Sequence, residues 1–195
     1  MGSPGHSRRR TKTERNVAAY WQYPQSKDLD WKPKYPSKKN ILEWLWRVLS
    51  HISIAYIEIR FSANATENIE KVVAAVQQVL PSNYAEDITF KESNLQGHYG
   101  NPITLFEAKI RDKEAISALV ENLSFSLGES DKRTLSKQIH LHVERGSLYI
   151  RLDKQAAFQG KLKLRTSDPI RIRLRFKKAK GREIIKACQK LGLLK

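Results

Sequence analysis

Between Pro169 and Phe176 the chain alternates without a break: Ile170, Ile172, Leu174 and Phe176 interleave with Arg171, Arg173 and Arg175. Successive side chains of an extended strand point to opposite faces, so the apolar set takes one face and the arginines the other. The apolar face requires a core to cover it. The other face sets three guanidinium groups ~7 Å apart along the strand, close to the phosphate repeat of a nucleic-acid backbone. Arginine suits that partner because its planar fork can donate two hydrogen bonds at once.

Charge placement points the same way. The 195-residue chain carries a formal net charge of +16. Residues 1–39 hold ten Lys/Arg against three Asp/Glu, and residues 160–195 hold thirteen against two. The stretch between them has thirteen against fifteen, so a nearly neutral body joins two basic ends. Solubilising charge would be spread evenly, whereas a surface facing a polyanion would be gathered in this way. The candidate RNA contacts are therefore Arg8, Arg9, Arg10, Lys12 and Arg15 near one end. Near the other they are Lys161, Lys163, Arg165, Arg171, Arg173, Arg175, Lys177, Lys178, Lys180 and Arg182.

Residues 1–39 read as an extended tail. They hold four prolines, almost no aliphatic residues, and the aromatics Tyr20, Trp21, Tyr23, Trp31 and Tyr35, a composition unable to bury a core of its own. Residues 40–195 read as a single compact domain. Asn40 with Glu43 predicts a capped helix, followed by a strand over 54–61. Asn64 with Glu67 predicts the start of a second helix, stopped by Pro81. Further strands are expected at 88–90, 103–110, 139–143, 147–152, 161–164 and 170–176, with helices from Asp112, over 129–138 and over 183–194. Strands and helices mix without regular βαβ repetition, which predicts α+β: a mostly antiparallel sheet with helices packed on one face.

Gly97, His98, Tyr99, Gly100 and Asn101 form a turn whose glycines can let backbone N–H groups approach a phosphate, making it a possible second RNA contact. His140 and His142 share one face if 139–143 is a strand, but no third ligand stands near them, so no metal site is expected. Asp153 beside Lys154 reads as an ion pair. Nucleotide-binding glycine loops, nucleophile elbows and paired-carboxylate motifs are absent. The expectation is a non-enzyme without cofactors. The single Cys188, the lack of a ~20-residue apolar run and the lack of an apolar stretch behind Arg8–Arg10 predict a cytoplasmic chain that binds no membrane.

Three stretches carry a family resemblance: Ala55–Glu67, Gly97–Ile103 and Arg151–Gly160. Together they resemble an archaeal RNA-binding family, described as exosome-linked or of unknown role, whose fold is similar to that of the ribosomal protein that binds 5S rRNA. The resemblance covers residues 50–178 and implies an α+β domain that binds RNA. Residues 1–39 lie outside it, and their basic, aromatic character looks like the extensions of ribosomal proteins. The combined expectation is a ribosomal large-subunit component or ribosome-bound factor, with rRNA and ribosomal proteins as partners. An adaptor of the archaeal exosome, with exosome subunits as partners, is the alternative.

Overall fold

The computed structural model describes residues 54–195. The tail at 1–39, the helix expected from Asn40, and Arg8, Arg9, Arg10, Lys12 and Arg15 lie outside the described residues.

Six strands form one antiparallel sheet: β1 (Ile54–Asn64), β2 (Lys91–Gln96), β3 (Pro102–Ile110), β4 (Val143–Glu144), β5 (Ser147–Leu152) and β6 (Ile170–Phe176), in the order β2-β3-β1-β6-β5-β4. Helices α1 (Ile69–Val79), α2 (Lys113–Ser126), α3 (Glu129–Lys137), α4 (Ile139–His142), α5 (Lys154–Phe158) and α6 (Gly181–Lys190) complete the chain, packed on one side of the sheet. The fold is α+β, as the alternation and element mixture predict.

The core lies between the sheet and the helices. β1 contributes Ile57, Ile59, Phe61 and Ala63, β5 contributes Leu148, Ile150 and Leu152, and β6 contributes Ile170, Ile172, Leu174 and Phe176, all buried. Phe61 stacks on Phe106 with ring centroids 4.9 Å apart and meets Phe90 edge-on at 5.2 Å. Against this wall α1 sets Val72, Val73, Val76 and Val79, and α2 sets Ile116, Leu119, Val120 and Leu123. Asp112 caps α2 by accepting from the Ala115 N–H at 2.8 Å. Leu80 ends α1 just before Pro81.

Several elements differ from expectation. Asn64 does not open a helix. Its side chain and N–H both donate to the Glu67 carboxylate at 3.0 Å, closing a turn, and Asn68 is the residue that caps α1. The strand expected at 88–90 begins instead at Lys91, with Phe90 buried in the core before it. Residues 139–142 are a helical turn and only Val143–Glu144 pair with β5. A strand would have buried Leu141 beside Ile139, but Leu141 is 65% exposed. At the β5 edge the His142 ring takes over a strand's role, its Nδ1 lying 2.8 Å from the Tyr149 carbonyl oxygen. The 161–164 strand reduces to isolated bridges at Leu162 and Leu164. The last helix runs from Gly181 to Lys190, started by the Glu183 carboxylate accepting from the Lys180 N–H.

Candidate nucleic-acid interface

The face of the sheet away from the core has its own pattern, set by strand register. Arg60 of β1 lies opposite Arg171 of β6, and Arg171 lies opposite Arg151 of β5. Beyond β5, Leu164 bridges to Leu152 and the Arg165 N–H donates to the Arg151 carbonyl at 2.9 Å, so Arg165 continues the row. Four arginines thus cross the sheet in line, over ~14 Å at the usual strand spacing. Carboxylates meet only the two ends. Glu107 pairs with Arg60 at 2.9 Å and Asp153 with Arg165 at 3.1 Å. Among the described residues Arg171 and Arg151 have no acidic partner. Like charges placed directly opposite on a sheet are destabilising, so stability does not account for this pair.

Two residues along the strands, the chemistry changes. Arg173 lies opposite Glu58 on one side and Tyr149 on the other. Its guanidinium donates to Glu58 at 3.3 Å and to the buried Ser147 hydroxyl at 3.1 Å. It also lies 5.9 Å from the Tyr56 ring centroid and 5.7 Å from that of Tyr149. The Lys109 ammonium sits over Tyr56 at 3.8 Å. Cations and rings share one surface here.

Asp153 works at the rim of this face. Burial raises its carboxyl's pKa, but the Ala156 and Gln155 amides and the Arg165 guanidinium outweigh that, leaving it below the usual carboxylate range. It pairs with Arg165, not with its neighbour Lys154. Lys154 turns inward instead, only 7% exposed, toward Glu67 and Asp168.

The sequence-predicted cations do not form one patch. Arg171, Arg173 and Arg175 share the open face of β6, and Arg175 reaches the Arg145 carbonyl. Lys161, Lys163 and Arg165 stand at the end where β6 begins. Lys177, Lys178, Lys180 and Arg182 are exposed at the opposite end, in the link from β6 into α6. The 97–101 turn is a third place, since Pro102 precedes the arginine row's Glu107 by five residues of β3, roughly 17 Å. Two of the turn's amides are paired within it: Gly97 N–H donates to the Asn101 carbonyl at 2.8 Å and Gly100 N–H to the Gly97 carbonyl at 3.0 Å. His98 and Tyr99 remain outside, the Tyr99 side chain 87% exposed.

Arg60, Arg151, Tyr56, Tyr149 and Lys109 are the residues that sequence reasoning passed over. A signal was present in the same alternation that marks β6: Tyr56-Ile57-Glu58-Ile59-Arg60 and Tyr149-Ile150-Arg151-Leu152. Among the described residues no group of three or more His, Cys, Asp or Glu side chains is placed to hold a metal ion, and no helix is long and apolar enough to cross a membrane.

Comparison with known proteins gives a consistent picture. A family model described as RNA binding matches residues 56–176. A Pyrococcus abyssi protein named as an RNA-binding protein is 35% identical over 124 residues, covering 62% of this chain and 80% of that one. An uncharacterised protein of Methanocaldococcus jannaschii is 32% identical over 117 residues, covering 58% and 78% respectively. A crystal structure from Archaeoglobus fulgidus superposes with a TM-score of 0.62 at 27% identity, over 71% of this chain and 99% of the other.

Proposed function

This chain belongs to the RNA-binding family whose model spans residues 56–176, and from that premise we propose that it is a non-catalytic protein that holds RNA on the open face of its sheet. The observation that carries this reading is the Arg171–Arg151 pair. Two guanidinium groups opposite one another with no carboxylate between them cost stability, and a bound phosphate removes that cost. Arg60 and Arg165 extend the row, and the exposed cations at the two ends of β6 draw the polyanion in at longer range. Residues 1–39 supply a second basic arm.

The test is a binding titration across salt concentrations. Replacing Arg151 and Arg171 together by alanine should lower the slope of log affinity against log salt by ~1.4 for single-stranded RNA, ~0.7 for each lost phosphate contact. An unchanged slope would move the contact surface elsewhere.

The finer assignment is a ribosomal large-subunit component or ribosome-bound factor, and it rests on the composition of residues 1–39. It predicts co-sedimentation with ribosomal subunits, weakened by deletion of those residues. Recovery of exosome subunits without ribosomal proteins from a native lysate would replace it with an exosome adaptor.

A further inference from the structure

Tyr56, Arg173 and Tyr149 give the open face something that phosphate binding does not use. Resting on the reading of this face as the RNA surface, we infer that its ligand is a run of unpaired nucleotides, with phosphates on the Arg171–Arg151 row and bases on a Tyr56–Arg173–Tyr149 platform. Arg173 differs from the other two in its electrostatics. Glu58 already balances its charge and Ser147 fixes its orientation, so it offers a flat surface more than a free cation. Rings and guanidinium planes are the surfaces on which unstacked bases settle. The platform and the arginine row are two residues apart along the strands, ~7 Å, so one short stretch of chain reaches both. Lys109, which covers Tyr56, is an exposed, flexible side chain that a base can displace.

A duplex cannot make this contact. Its bases are stacked on each other, and it presents phosphates, ribose hydroxyls and base edges but no free base faces, leaving the platform idle. Stacking does not read base edges, so binding should be tolerant of sequence.

The experiment compares the full chain's affinity for an oligouridylate of about ten nucleotides, within known single-strand site sizes, with that for an RNA duplex of equal length. The single strand should bind at least tenfold tighter. Tyr149→Ala should weaken it by about tenfold or more, the effect of losing one stacked base, with an unchanged salt slope, and Tyr149→Phe should restore it. As a measurement independent of any variant's folding, a 4-thiouridine strand bound to the unmodified protein should cross-link to Tyr56 or Tyr149. Equal or tighter duplex binding, or single-strand binding without either cross-link, overturns the inference. If Arg151→Ala with Arg171→Ala still lowers the salt slope in that case, the RNA surface itself stands. If the slope does not change, both readings fall.

Discussion

The Lys154 ammonium lies 2.9 Å from the Glu67 carboxylate, tying the start of α5 to the turn that follows β1 across 87 residues of chain. The same ammonium reaches Asp168 at 2.7 Å and the Ser62 carbonyl at 2.7 Å, so all three of its protons are used. Lys154→Met should cost about 2–3 kcal/mol. That is below the range for a fully buried pair, because Glu67 and Asp168 retain access to water. A urea titration measures it, and a loss under 0.5 kcal/mol would mean that the network is incidental.

Removing a cation from the arginine row should leave the fold as stable or make it slightly more so. Arg151→Ala relieves repulsion from Arg171 without breaking an ion pair, so the change should fall within about 0.5 kcal/mol in the stabilising direction. Thermal unfolding beside RNA titration separates the two properties. A large loss of stability would make the row structural.

Asp153 should make the fold sensitive to acid. Its folded-state pKa lies below the ~3.9 of an unfolded aspartate. The unfolded state therefore binds a proton first as pH falls. The carboxylate's contribution is complete above that unfolded value and vanishes as pH drops through the folded one. Asp153→Asn should consequently lower stability at pH 7 and narrow the gap to the parent as pH falls below the ~3.9 of an unfolded aspartate. Stability curves that stay parallel throughout the acid range would contradict the assignment.

Cys188, the only cysteine of the chain, lies on the buried face of α6, and desolvation pushes its thiol up to about 12. Alkylation needs the thiolate, so the native protein should resist iodoacetamide at pH 8 and take up one label per chain once unfolded. Rapid labelling without denaturant would show that α6 opens readily.

Much of this architecture could be read in advance because strands buried on one face announce themselves. Ile170–Phe176 gave its bounds and both faces from alternation alone, and Asp112 gave its helix through a cap. Misreadings came where four or five residues fit two structures. Ile139–His142 alternates as a strand would, yet the β5 edge accepts a His142 side chain there. Asn64 and Glu67 have capping spacing but close a turn. The arginine row was not legible as a row, because Arg60, Arg151, Arg165 and Arg171 become neighbours only through register between strands far apart in sequence. Alternation sets Tyr56 and Tyr149 on the face away from the core, but their meeting around Arg173 depends on that same register.

The placement of β6 as an interior strand ties ligand recognition to foldedness. Moving its pairing by one residue against β1 or β5 would drive Arg171, Arg173 and Arg175 into the hydrocarbon interior and turn Ile170, Ile172 and Leu174 outward. No misregistered sheet can therefore survive as a folded competitor with a scrambled surface. Individual arginines can be exchanged over evolutionary time, while the two-residue rhythm that displays them is guarded by the cost of unfolding.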